Sequence, residues 1–377
     1  MVRFGGRGIS VEPACILVVL PSWVGDVVMA TPTLTSLRRR FRQSHVIFLA
    51  RPYVADLLDG ADWMDEVLFW PGGKTRNTRR EGFARLACEL RRRRIDLAVL
   101  LANSFRSALL ASLAGARQRV GYDRDGRGLL LTDRLVAQRL DGDFVPVSLV
   151  RYYNAIGAFL GCRELPDVLS LPAGAEDDRR FTEICRQYGI DSKRPLVVIN
   201  PGAAYGQAKC WLPARFAELS DRLVDTQAAQ VVVTCGPGEV SIARRIEADL
   251  QREATVLADD PLSLRELMAL IRRCDLLVTN DSGPRHIAAA YGAPVVSIFG
   301  PTDPRWSETG YSLERKVIAD VDCAHCMKRV CPTDHRCMRA LTVDMVLRPA
   351  AELLAARRTS PVRTGTPNDG RAVDHAE

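Results

Sequence analysis

Four short stretches of this sequence set small or polar residues directly after an apolar run, and each suits proton or phosphate chemistry. In Thr279-Asn280-Asp281-Ser282-Gly283-Pro284-Arg285-His286, the run Leu276-Leu277-Val278 gives way to a turn and then to an alanine-rich stretch closed by Gly292. This pattern predicts strand, tight turn and helix. Asp281 or Ser282 can cap the helix, Gly283 removes a side chain, and Pro284 suits a first turn whose N–H lacks an intrahelical partner. A helix N-terminus at the carboxyl edge of a strand is a seat for phosphate. His286 either faces that phosphate or packs into the core, as most lone histidines on such helices do.

The second stretch, Asn200 to Trp211, is a loop of small residues including Ala203, Ala204 and Gly206 that ends in Lys209. It lets a ligand approach the backbone while Lys209 neutralises phosphate. The third, Thr234 to Glu239, carries an acid that either accepts ribose hydroxyls or is simply favoured by the dipole of the following helix. The fourth is Gly25-Asp26, on the turn after the first apolar run, where a carboxylate serves as a base or as a helix cap.

The elements that position these residues alternate. Continuous apolar runs at 14–20, 46–49, 67–70, 95–101, 195–200, 230–234, 274–278 and 293–300 read as buried parallel strands. Helical stretches lie between them, at 81–94, 105–114, 147–160, 175–188 and 343–357. From Val27 to Leu37 the spacing is helical, and Pro32 either restarts or bends that helix. Residues 121–143 read as a loop-rich interval. The rhythm predicts an α/β fold of two doubly wound domains facing across a cleft, at 14–172 and 195–357, joined by a linker and helix at 173–194. The tail 358–377 is expected to be disordered.

At 47% hydrophobic and 26% charged, the chain can bury two cores. No apolar run approaches the length of a membrane span, and no secretory leader is evident at the start, so the expected location is cytoplasmic. Arginines cluster at 38–40, at Arg76, Arg79 and Arg80, and at 91–94. They are either solvated helix faces or a basic surface for an anionic lipid partner. Aromatic residues are not interleaved with them, which argues against nucleic acid. Cys15, Cys88, Cys235 and Cys274 read as small core residues of a reducing compartment. Cys323, Cys326, Cys331 and Cys337, with His325 and His335, have the ligand types of a structural zinc or iron–sulfur site. Their spacing is not that of a zinc ribbon, free thiols or a disulfide are the alternatives, and the loop is expected outside the active site.

Leu20-Pro21-Ser22-Trp23-Val24-Gly25-Asp26, Asn200-Pro201-Gly202-Ala203-Ala204-Tyr205-Gly206 with Lys209 and Trp211, the Thr279–His286 stretch and Phe299-Gly300-Pro301-Thr302-Asp303-Pro304 together resemble the lipopolysaccharide heptosyltransferases of glycosyltransferase family nine. The pattern is most similar to the heptosyltransferase II branch and covers about Cys15 to Leu347. The resemblance implies a GT-B fold with acceptor on the N-terminal half and donor on the C-terminal half. It implies inverting transfer of heptose from ADP-heptose to the heptosyl-Kdo-lipid A core, with no cofactor required for catalysis, at the inner face of the inner membrane. The family's catalytic aspartate falls on Asp26, its donor-loop lysine on Lys209 and its phosphate turn on Asp281, Ser282, Gly283 and His286. Its ribose-binding glutamate falls on Glu239, and Leu262 lies where the family places a residue against adenine. The competing readings are another GT-B sugar transferase or epimerase, or a non-catalytic nucleotide-sugar-binding module. A dehydrogenase is disfavoured because no Gly-x-Gly-x-x-Gly follows the first strand of either half.

Overall fold

The computed structural model describes residues 3–5, 12–73, 75–191 and 193–359. Two sheets dominate. The first has seven strands in the order Arg3–Gly5, Asp133–Val136, Gln118–Tyr122, Leu97–Leu100, Cys15–Val19, His45–Ala50 and Glu66–Phe69. All its pairings are parallel except that of Arg3–Gly5, which runs antiparallel to Asp133–Val136. The second has six parallel strands in the order Thr255–Val256, Gln230–Val233, Leu196–Asn200, Leu276–Asn280, Val295–Phe299 and Glu314–Ile318. Helices cover both faces, which is why the central strands read as unbroken apolar runs rather than alternating ones.

The expected strands and helices stand within a few residues of their predicted ends, with one exception. The interval 121–143 is not a loop: it contains Asp133–Val136 and a small hairpin, Arg139–Leu140 with Asp143–Phe144. These strands are too short and too charged to show a period. Arg127, fully buried, ties the interval down by donating to Tyr122 O at 2.8 Å and Asn103 Oδ1 at 2.9 Å. Cys88 is exposed rather than a core residue, because it sits on the outer face of the helix Arg76–Arg92. Of the expected disordered tail, 360–377 lies outside the described residues, and the last helix runs Val343–Thr359.

Pro32 does not restart the helix: it lies inside a single helix, Val24–Arg40, the second of the two expected outcomes. A proline here deprives the carbonyl four residues earlier of its N–H partner. That carbonyl belongs to Val28, and the Thr31 hydroxyl donates to it at 2.8 Å.

The two sheets are joined by packing between this helix and the helix Gly283–Tyr291 of the second half. A shared apolar core runs through the contact, from Val27, Val28 and Leu34 to Ile287 and Ala288. Farther out, the helix Leu264–Arg273 packs on the 3-10 turn Pro52–Leu57. There Arg265, nearly buried, donates to the carbonyls of Asp56 at 3.2 Å and Asp59 at 3.3 Å and pairs with Asp177 at 2.8 Å.

Candidate active site

Each chemistry-bearing stretch follows a strand at the carboxyl edge of its sheet, and the packing of the two halves brings three of them together. Asp26 is the third residue of the helix Val24–Arg40, not a residue of the preceding turn. The N-cap is Trp23, which makes no side-chain cap. Opposite it, Gly283 opens the helix Gly283–Tyr291, with Ser282 as N-cap and Pro284 in the first turn. The two helix starts touch through glycine. A Cβ on Gly25 would come within 2.9 Å of His286 Cδ2, and one on Gly283 within 3.0 Å of Val24 Cγ1. A side chain at Gly25 would force His286 to shift, and one at Gly283 would press on Val24 across the junction.

Asp281 does not cap the helix, and neither does the Ser282 side chain, whose hydroxyl instead lies 3.1 Å from that of Thr279. Asp281 is a buried hub. Its Oδ2 accepts from Lys209 Nζ at 2.6 Å and Thr302 Oγ1 at 2.8 Å, and its Oδ1 accepts from Arg285 at 2.9 Å. Burial alone would raise this carboxyl, but the Lys209 ammonium and Arg285 guanidinium outweigh it and hold Asp281 well below the usual carboxylate range. Arg285 is in turn held by Glu314, at 2.7 and 3.1 Å, and by Ser307 Oγ at 2.8 Å. These charges are therefore paired and hydrogen-bonded, as buried ions must be.

Lys209 also donates to the Asp281 carbonyl at 2.8 Å. An ammonium has three N–H donors, so two are used and Asp281 fixes the direction of the third. Asp26, half-buried, experiences the same pair of charges. Burial pushes its carboxyl up, Lys209 lowers it and Asp281 raises it again, leaving it at about 7. Tyr153, buried beside it, is pushed far up first by burial and then by Asp26. His286 is buried, and desolvation followed by the Arg285 charge holds it well below its ordinary value, so its imidazole is neutral.

Glu239 is the N-cap of the helix Val240–Asp249 rather than a first-turn residue. Its Oε2 accepts from Gly236 N–H at 2.9 Å, and a Cβ on Gly202 would overlap the carboxylate. The bare backbone of Gly202 is what admits Glu239 to the edge of the second sheet, beside the loop of Ala203, which is half-buried, and Ala204, which is exposed. Leu262 is half-buried against the core shared by the two halves.

The cysteine-rich loop is not outside this region, contrary to the sequence expectation. It supports the Lys209 loop. Tyr205 donates to Met327 O at 2.7 Å, Ala208 N–H to Arg329 O at 3.1 Å, and His335 Nε2 to Ala208 O at 2.8 Å. Sequence separation of more than a hundred residues hid this contact. Cys323, Cys326, Cys331 and Cys337 are free thiols, and among the described residues no three His, Cys, Asp or Glu side chains form a metal-binding group. The loop as folded does not fit the zinc or iron–sulfur site its residue types suggested.

Residues 83–336 match the sequence model of glycosyltransferase family 9 (heptosyltransferase). The chain belongs to that family. The lipopolysaccharide heptosyltransferase 2 of Salmonella typhimurium is 33% identical over 299 residues, covering 77% of this chain and 83% of the relative. Among solved structures, that of Escherichia coli ADP-heptose lps heptosyltransferase II aligns with TM-score 0.75 and 29% identity, covering 91% of this chain and 99% of that one. The glycosyl transferase family 9 structure from Veillonella parvula aligns with TM-score 0.77 at 21% identity, over 93% of this chain and 99% of that one. The two facing parallel sheets are thus those of a GT-B glycosyltransferase. Sequence reasoning singled out Asp26, Lys209, Asp281, Ser282, Gly283 and His286 of this transferase, and the structure gathers them at one junction. It missed Arg285, Thr302, Glu314 and Tyr153. The first stands four residues after Asp281, one helical turn on, and that spacing was a usable signal.

Proposed function

We propose that this glycosyltransferase moves heptose from ADP-heptose to the heptosyl-Kdo-lipid A core of lipopolysaccharide, with inversion at the anomeric carbon and no catalytic metal. The observation that carries the mechanism is the meeting of Asp26, from one half, with Lys209 and Asp281, from the other. In this reading the acceptor hydroxyl attacks the anomeric carbon from the face opposite ADP. The new C–O bond forms as the bond to the β-phosphate oxygen breaks, and Asp26 takes the hydroxyl proton. A base whose pKa lies near neutrality is well matched to that task. The third N–H of Lys209 and the backbone N–H groups of Ser282 and Gly283 hold the charge that develops on the departing diphosphate. His286, being neutral, contributes a hydrogen bond rather than a charge. Asp281 does not touch phosphate: it aims Lys209.

Glu239 is assigned to the ribose hydroxyls, Ala203 and Ala204 to close approach of the donor, and Leu262 to the adenine face. The acceptor domain spans 14–172, the connecting segment 173–194 and the donor domain 195–357. No helix among the described residues is long and apolar enough to cross a membrane. We place the enzyme in the cytoplasm, in peripheral contact with the inner face of the inner membrane, where a lipid-borne acceptor is presented.

The test is a transfer assay pairing ADP-heptose with defined truncated core acceptors. Transfer by the wild type and its loss in Asp26→Asn support the proposal. Binding of ADP-heptose without transfer to any acceptor would favour a binding module. Stronger thermal protection by UDP or GDP than by ADP would favour a different sugar transferase or an epimerase.

A further inference from the structure

The two halves are tied together at a second place besides the contact of Gly25 and Gly283. The helix Leu264–Arg273 of the donor half begins, directly after Leu262, with a capping box made by Ser263 and Glu266. Its first N–H groups still need acceptors. The Arg265 N–H finds one in the other half, donating to Asp56 Oδ2 at 3.2 Å. The Arg265 side chain crosses at the same point, with Nη1 donating to the carbonyls of Asp56 and Asp59. Its Nε lies 2.8 Å from Asp177 Oδ1 in the connecting helix Ala175–Tyr188. That last contact is one of charge without an aligned hydrogen bond, although both atoms are buried. The carbonyls of the acceptor half therefore set the guanidinium plane, and Asp177 balances its charge.

The carbonyls held by Arg265 belong to the 3-10 turn Pro52–Leu57 and the residues just after it. Tyr53 stands in that turn with its ring exposed, and its hydroxyl donates to the carbonyl of Ser22. Ser22 precedes Trp23, the N-cap of Val24–Arg40, so this hydrogen bond holds the start of the helix whose third residue is Asp26. The two side chains sense each other: burial first raises the Tyr53 hydroxyl, Arg51 opposes this, and the Asp26 charge raises it further. On the donor side, Leu262 is assigned above to the adenine face and stands one helical turn before Arg265. Asp260 in the same loop is steadied by the connecting helix, accepting from Tyr188 at 2.8 Å and Gln187 at 3.1 Å. A continuous run of contacts thus leads from the adenine end of the donor site to the base.

We propose that Arg265 is a positioning residue that couples seating of the donor's adenine to the placement of Asp26, through the turn Pro52–Leu57 and the Tyr53–Ser22 hydrogen bond. This rests on the transferase reading above. The experiment compares the wild type, Arg265→Lys, Tyr53→Phe and the double variant in transfer from ADP-heptose, with melting curves as the folding control. One ammonium cannot occupy the Nε and Nη1 positions at once, so lysine keeps a cation beside Asp177 and gives up the carbonyls. Each single variant should lower kcat about fivefold, the order of one net hydrogen bond, because the base is less well held. The KM for ADP-heptose should change by less than about twofold. Because Arg265 acts through Tyr53, the double variant should lose no more than the worse single one. Hydrogen exchange supplies a second readout. ADP should slow amide exchange over residues 53–58 of the wild type, and Arg265→Lys should bind ADP without that slowing. Should Arg265→Lys fail to fold, Asp56→Ala, which removes the acceptor of the Arg265 N–H from the other side, takes its place in both measurements. Wild-type kcat in either single variant, losses that multiply in the double variant, or a raised KM for ADP-heptose with kcat intact would each overturn the relay. So would loss of ADP binding by Arg265→Lys, or protection of 53–58 that survives the substitution or is absent from the wild type. If the wild type transfers to no acceptor, the transferase reading fails, and the exchange measurement alone decides the relay.

Discussion

Replacing Asp26 with asparagine should cost this enzyme its activity and yet stabilise its fold above neutral pH. Burial pushes the Asp26 carboxyl from its ordinary 3.8 to about 7, so in the folded state it keeps its proton well beyond the pH at which the unfolded chain loses it. Between those values the native state binds the extra proton, and stability falls as pH rises through the window. The window is about three pH units wide, which at about 1.36 kcal/mol each sets a ceiling of about 4 kcal/mol. Asp26 is only half-buried, and solvent screening reduces the expected figure to roughly 1–2 kcal/mol. The amide carries no charge and escapes this cost. At alkaline pH, Asp26→Asn should therefore melt roughly 1–3 °C above the wild type, with the difference vanishing once both are neutral near the ordinary carboxylate pKa. Removal of the base should lower kcat/KM by about 10²- to 10⁴-fold. Wild-type kcat/KM should climb with unit slope below about pH 7 and then level off, because it reports the free enzyme. Melting curves across this range, together with the pH–rate profile, check each part. Coincident melting profiles for the two proteins, or wild-type transfer by Asp26→Asn, would refute the reasoning.

Gly25→Ala places a methyl 2.9 Å from His286 Cδ2 and should destabilise the junction by about 1–3 kcal/mol, read as a lower Tm, with a fall in kcat. Lys209→Met strips Asp281 of one buried partner; a loss of roughly 3 kcal/mol in stability and a marked drop in kcat are expected from melting and transfer assays. Glu239→Ala should raise the KM for ADP-heptose by about tenfold and weaken ADP similarly in calorimetry, while leaving the acceptor KM alone. Protein purified without chelator should carry substoichiometric zinc and iron by elemental analysis, since the thiols of 323–337 do not form a metal cage.

The strands were legible because buried parallel strands must be apolar on both faces, so runs such as Ile16–Val19 and Val197–Ile199 announce themselves; their order in the sheets was not. The turn Thr279–His286 was legible for a different reason: glycine, proline and small polar residues have few other uses at a strand's end. What sequence concealed was relational. Asp281 looked like a cap because it precedes a helix, yet its partners Lys209 and Thr302 come from other loops. The contact of Tyr205 with Met327 joins segments whose local sequences carry no sign of each other. The hairpin at 139–144 escaped because two-residue strands hold no period.

The Lys209–Asp281 clasp has a consequence for how the site meets the many anions of a cell. Its lysine is already committed before any donor arrives, and Arg285 is balanced by Asp281 and Glu314. The site therefore offers little long-range pull, and a stray phosphate finds one oriented N–H rather than a cationic well. Discrimination passes from charge to shape: only a ligand long enough to engage the remaining N–H, the helix start and Glu239 at once collects the full binding free energy. Occupancy by ADP should accordingly depend only weakly on ionic strength.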